Sequence, residues 1–173
     1  CLPNTRQHYI DNVMTWICSD NVHGADQIFL VADVVGSGKT ALAHTIAKQC
    51  FDTGLLASSF FFDETDHCVR PRDFVFKTAH DIGSKYPEVA DEISAVLKAD
   101  PRIIHFLPTT NLFERLVLGP LVRSQIRGPV ALVIDALNDA ETSDVPLILR
   151  TQIQQQAGLF RVFVTSRPDH AIL

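Results

Sequence analysis

The apolar positions of this chain change period several times, and each change marks an element. Ile10, Val13, Met14 and Ile17 share one helical face, with Trp16 beside it, and predict a helix over residues 5–18. The region around Gly24 turns the chain into Ile28-Phe29-Leu30-Val31-Ala32, an apolar run of strand length. Leu42, Ala43, Ile46, Ala47 and Cys50 return to helical spacing until Gly54, and residues 55–62 read as a second strand rich in aromatic side chains. Residues 63–72 are polar, contain Pro71, and read as a loop.

A helical section follows in three pieces. Val75, Thr78, Ala79 and Ile82 line a helix that Gly83 and Pro87 end, and Val89, Ile93, Val96 and Leu97 line another that Asp100-Pro101 terminates. A third starts near Asn111, where Glu114 resembles the acid of a capping box and Leu112, Phe113, Leu116 and Val117 form the apolar side. Pro120 and then Gly128-Pro129 close this section. Val130-Ala131-Leu132-Val133-Ile134 is apolar without alternation, which suits a central parallel strand buried on both faces, and it ends in Asp135. Ser143-Asp144 and Pro146 open another helix, stopped by Gly158. Residues 159–164 form the last strand, which ends in Thr165-Ser166-Arg167-Pro168. Strands alternating with helices predict an α/β fold on a parallel sheet.

The loop between the first strand and its helix carries the chemistry. Asp33-Val34-Val35-Gly36-Ser37-Gly38-Lys39-Thr40 follows the pattern G-x-x-x-x-G-K-[ST] of a phosphate-binding loop, with Asp33 in place of the first glycine. The glycines let successive N–H groups turn inward at an anion, and the helix N-terminus beginning near Ala41 adds its partial positive charge. Lys39 reaches the β- and γ-phosphates in such a loop, and the Thr40 hydroxyl ligates Mg²⁺. Asp135, at the carboxyl end of a buried strand, stands where open α/β sheets bind ligands and where a second Mg²⁺-organising carboxylate belongs. Arg167 ends the last strand at the same edge, and its fork suits a γ-phosphate.

Composition narrows the partners. At 173 residues and 46% hydrophobic content, the chain can bury one substantial core. A net charge of −5 gives no electrostatic reason to expect nucleic acid or an anionic membrane, and no apolar run approaches the ~18 residues of a spanning helix. Scattered cysteines (Cys1, Cys18, Cys50, Cys68) indicate a reducing compartment, with a cytoplasmic location as the default. The chain begins at Cys1 rather than Met and is expected to be an excerpt of a longer protein. His67-Cys68 beside Asp63, Glu64 and Asp66 reads as a solvated acidic loop, since no second ligand pair lies at zinc spacing. His44 reads as a surface histidine, Phe60-Phe61-Phe62 as sheet core, and the Glu88–Glu92 charges as a solvated helix face.

Several short segments, taken in order, resemble the NACHT domains of fungal NOD-like receptors, in the STAND class of P-loop ATPases. They are Cys1-Leu2-Pro3 with Thr5-Arg6, Gly36-Ser37-Gly38-Lys39-Thr40, Ala57-Ser58-Ser59-Phe60-Phe61-Phe62, Val133-Ile134-Asp135-Ala136-Leu137 and Thr165-Ser166-Arg167-Pro168. The resemblance implies a helical lead-in over 1–24 and a NACHT nucleotide-binding domain over 25–173, cut after the sensor strand. It implies a three-layer P-loop NTPase sandwich with sheet order 5-1-4-3-2, the fifth strand lying beyond this sequence. It also implies ATP and Mg²⁺ as ligands, held by residues 33–41, with Asp135 organising the metal and Arg167 sensing the γ-phosphate. A small residue after the acid, here Ala136, is a hallmark of that family. Flanking effector and sensor domains, ADP exchange and nucleotide-dependent self-association follow from the same resemblance. Absence of an Asn-Lys-x-Asp guanine-reading motif agrees with ATP.

Two departures bear on activity. The first is Asp33 for glycine; the second is Asn138-Asp139 where the family has two acids. Asn138 can hydrogen-bond a water but cannot take its proton, which leaves Asp139 as the remaining carboxylate of the motif. The expected activity is that of an ATP-gated switch and at most a slow ATPase. The alternatives are a nucleotide-binding scaffold without turnover and, ranked last for want of an Arg-rich lid, a small-molecule kinase.

Overall fold

The computed structural model describes residues 6–19, 27–62, 70–126, 128–137, 144–156 and 158–168. The two strands with the most continuous apolar sequence, β3 (Val130–Asp135) and β4 (Phe160–Ser166), are buried at every position. That is the environment an unalternating apolar run requires. They pair in parallel with each other and with β1 (Ile28–Ala32) and β2 (Leu56–Phe61), giving the order β1-β4-β3-β2. β4 therefore lies between the strand that enters the glycine loop and the strand that ends in Asp135. β4 runs two residues further than the sequence suggests, because Thr165 and Ser166 are still in register with Val31 and Ala32.

Helices cover both faces, and the period of two along the strands sorts the core. Ala131, Val133 and Phe163 face α1 (Gln7–Cys18) and α2 (Lys39–Asp52), meeting Ile10, Val13, Ile17, Leu42 and Ile46. Leu132, Ile134, Val162 and Val164 face the other side, against Phe74, Ile82, Phe113, Leu121 and Ile148. The phenylalanine run divides the same way. Phe60 and Phe62 are buried in the larger core, whereas Phe61 faces α2 and stacks on the exposed His44 ring at 4.1 Å.

The helical section departs from its pattern at three places. α3 (Pro71–Lys85) begins inside the span read as a loop: Pro71 supplies a first-turn residue whose missing N–H costs nothing there, and the Arg70 N–H donates to the Asp73 carboxylate at 2.7 Å. Gly83 does not end α3 but lies inside it, facing α4 (Pro87–Ala99), where a Cβ added at this position would lie 3.6 Å from Ala90 and Ile93. The third helix is preceded by a short α5 (Ile103–Phe106) and starts as α6 at Thr109, so Glu114 is not part of a cap. Pro120 does not close it either. A π-helical turn over Glu114–Leu118 widens the helix, the Gly119 N–H donates to the Glu114 carbonyl, and the chain passes Pro120 into α7 (Gly119–Arg123). A wide turn leaves room for a residue that has no N–H to give. After β3, α8 (Asp144–Ile148) and a second π-helical turn over Leu149–Ile153 lead to β4.

Candidate functional site

The loop between β1 and α2 is built by backbone geometry. Gly36 and Gly38 adopt φ of 80° and 86°, in the left-handed region, and an added Cβ at either would meet nothing within 4 Å. Glycine is therefore needed for conformation and not for space. Val34 and Val35 are exposed at 63% and 72%, so apolar packing does not shape the loop. The Asp33 N–H donates to the Ser166 carbonyl at 3.2 Å, which ties the start of the loop to the end of β4.

Lys39 is folded over this loop. Its ammonium donates to the Asp33 carbonyl at 2.6 Å and to the Val34 carbonyl at 2.8 Å. An ammonium has three N–H donors, so these two bonds hold the charge in place and leave one donor for an anion. Thr40 is exposed in the first turn of α2. Asp33 keeps its carboxylate on its own loop, accepting the Val34 N–H at 2.8 Å. That bond, chiefly, holds the carboxyl below its ordinary range, and the charges of Lys39 and Arg6 act in the same direction.

Asp135 is 2% exposed. It accepts the Thr165 hydroxyl from the next strand at 2.5 Å, and the same hydroxyl oxygen accepts the Ala136 N–H at 3.0 Å. Thr165 thus fixes both the carboxylate and the start of the turn after β3, where Ala136 sits at a φ of 55°. Arg167 is the first residue past β4, one residue beyond the Ser166 that binds the loop. The sheet edge consequently gathers residues 33–41, Asp135, Thr165 and Arg167. Asn138 and Asp139 lie outside the described residues, as do Cys1, Leu2, Pro3, Thr5 and the acidic stretch with His67 and Cys68.

The residues present fit a nucleoside phosphate with its cation. Left-handed glycines lead into a helix N-terminus, a fixed ammonium keeps one donor, and a carboxylate ends β3 at the same edge of the sheet. A family model described as Nephrocystin 3, N-terminal, matches residues 5–167. The chain belongs to this family. No curated protein matches it. In this nephrocystin 3 N-terminal family member, two contributors to the site, Thr165 and Arg6, stand in segments the sequence marks, but without a role assigned to them. Thr165 could have been found from the polar residues ending adjacent apolar runs, since the Ile134–Val164 register sets Asp135 beside it. Arg6 could not. Its Nη2 donates to the Ser37 carbonyl at 2.5 Å across 31 positions, and only the path of the chain brings it there. Among the described residues no helix is long and apolar enough to cross a membrane.

Proposed function

We propose that this chain is an ATP-binding switch domain of the NACHT type, within the STAND class of P-loop ATPases. The observation that carries the reading is the Lys39 ammonium, clamped by the Asp33 and Val34 carbonyls at the head of α2. An unclamped lysine on a glycine turn would extend into water, where it keeps more side-chain freedom. Bound Mg²⁺ would neutralise phosphate charge between Thr40 and Asp135, and Arg167 would contact the γ-phosphate from the end of β4. The order β1-β4-β3-β2 supports the full 5-1-4-3-2 arrangement.

Turnover in this reading is slow. Asn138 cannot act as a base, and general-base assistance contributes about 10²–10⁴ in rate. A switch tolerates that, because its output depends on the difference in nucleotide affinity between two packings of the chain. Flanking effector and sensor domains would read that difference, and nucleotide-dependent self-association would be one output. A scaffold that binds without any turnover is the second reading, favoured by Asn138 itself. The deciding experiment is calorimetry of Mg·ATP binding by the folded chain and by Lys39→Ala. The substitution should weaken binding about tenfold to a hundredfold, from charge-assisted bonds of about 1.5–3 kcal/mol. Equal affinity in the two proteins would remove the reading.

A further inference from the structure

The loop has a charge problem that the first glycine of an ordinary phosphate loop does not pose. Its own charged side chains are Asp33 and Lys39, and they cancel. An anion site whose side chains sum to zero draws a polyphosphate less strongly than one with a net positive charge. Arg6, immediately before α1, enters the same space. Its backbone is left-handed, with a φ of 58°, a conformation that residues with a side chain seldom adopt. From there its Nη2 donates to the Ser37 carbonyl at 2.5 Å, in the middle of the loop. A guanidinium has five N–H donors, so this bond anchors it without exhausting it.

We infer that Arg6 is the charge partner of Asp33, a positioning residue through which the N-terminal helix restores the net positive charge of the phosphate loop. With Arg6 counted, the side chains sum to a single positive charge, the value of a loop that begins with glycine. The inference rests on the nucleotide-binding reading for its consequence, but not for the pairing itself. The Val34 N–H chiefly holds the Asp33 carboxyl low, and the charges of Lys39 and then of Arg6, which is anchored on the Ser37 carbonyl of the same loop, add in the same direction. The arrangement also links α1 to the loop, so a shift of the lead-in helix would change the charge that a phosphate meets.

The test is a double-substitution cycle on the chain, with two readouts. Arg6→Gln keeps a donor for the Ser37 carbonyl and removes the charge, while Asp33→Asn keeps the acceptor for the Val34 N–H and removes the charge. Mg·ATP affinity by calorimetry should fall about tenfold on Arg6→Gln and return to within about threefold of the wild type when Asp33→Asn is added, because the side chains then again sum to a single positive charge. A double variant that binds as weakly as Arg6→Gln alone would overturn the pairing and leave Arg6 as a direct phosphate or backbone contact. The second readout needs no nucleotide: the Asp33 carboxyl is titrated by NMR in the wild type and in Arg6→Gln. Its pKa should rise in the variant, and an unmoved pKa overturns the inference. If the folded wild type binds no Mg·ATP while the Asp33 pKa still rises, the pairing stands and the nucleotide reading alone fails.

Discussion

The β3–β4 pair carries a buried charge at each end, and the two ends treat it differently. At the carboxyl end Asp135, 2% exposed, meets the Thr165 hydroxyl beside a solvent-exposed glycine loop. At the amino end Arg161, 1% exposed, points into the face covered by α1. Its Nη2 donates to the Ser19 carbonyl at 2.7 Å and its Nε to the Trp16 carbonyl at 3.3 Å, and the guanidinium lies 5.7 Å from the centre of the Trp16 ring. Both are charges in otherwise apolar strands. The carboxyl end holds Asp135 through the Thr165 hydroxyl, on the sheet edge from which the exposed glycine loop leaves. The amino end closes over Arg161 with the last carbonyls of a helix, whose dipole favours a cation. A charge in an apolar strand is thus not in itself a mark of a ligand site; what surrounds the strand end decides.

The largest way to break this comparison is Arg161→Met, which keeps most of the volume and removes the donors. Two carbonyls at the end of α1 lose a charged partner, each such bond contributing about 1.5–3 kcal/mol, and the Trp16 stacking is lost as well. Stability should fall by about 3 kcal/mol in urea denaturation, with Mg·ATP affinity unchanged under conditions where the variant is folded. A loss below about 1 kcal/mol would mean that α1 is held by its apolar face alone.

Thr165→Val is the corresponding cut at the carboxyl end. It is nearly isosteric, but the Ala136 N–H loses its acceptor and Asp135 its donor. An unsatisfied buried group costs about 1–3 kcal/mol, so a loss of about 2 kcal/mol is expected. One hydroxyl is lost here rather than a guanidinium with several donors, which keeps the loss below that of Arg161→Met. Mg²⁺-dependent ATP binding should weaken too, since the carboxylate is no longer oriented. A variant that loses stability but binds Mg·ATP as before would make Thr165 a structural residue only.

Most of the frame was legible because burial and period coincide. Continuous apolar runs became β3 and β4, and the helical faces of α1 and α2 became the smaller core. The glycine loop was legible because left-handed backbone at Gly36 and Gly38 demands glycine. The π-helical turn was not legible. Proline normally ends a helix, and only the widened turn over Glu114–Leu118 shows that Pro120 does not. Arg161 was hidden for a different reason. One charge in an apolar strand says nothing about which helix end will cover it, and the partners are backbone carbonyls, which every residue has. Asp33 was legible as a departure, but its bond to the Val34 N–H and its neighbour Arg6 depend on the folded path.

Asp135→Asn sharpens the same contrast with a smaller effect on the fold. Asparagine keeps an oxygen for the Thr165 hydroxyl, so stability should change by less than about 1 kcal/mol, one neutral hydrogen bond at most. The charge that would face Mg²⁺ is gone. ATP affinity measured with Mg²⁺ should drop to the value measured in chelator, while the wild type keeps a clear difference between the two. An unchanged Mg²⁺ dependence would take Asp135 out of the metal site and leave its burial as a structural feature.

The mildest probe changes no residue and reads the closure of the amino end directly. Cys50, in the last turn of α2, is buried with its Sγ 3.9 Å from the Met14 Sδ of α1, whereas Cys18 at the end of α1 is exposed. Burial pushes the Cys50 thiol up to about 11. Only the thiolate reacts, so at pH 8 Cys50 should be alkylated at least about tenfold more slowly than Cys18, read peptide by peptide in a mass spectrometer. The sign of the pH effect follows from the raised value. The neutral thiol's contribution to stability is complete below the ordinary thiol pKa of 9.0 and is lost as pH rises through about 11, because the unfolded chain ionises first. Arg161→Met should speed Cys50 labelling by loosening α1, and Mg·ATP should leave it unchanged. If Mg·ATP slowed Cys50 instead, the two ends of the β3–β4 pair would be coupled through α2, and the separation between a ligand end and a clamped end would not hold.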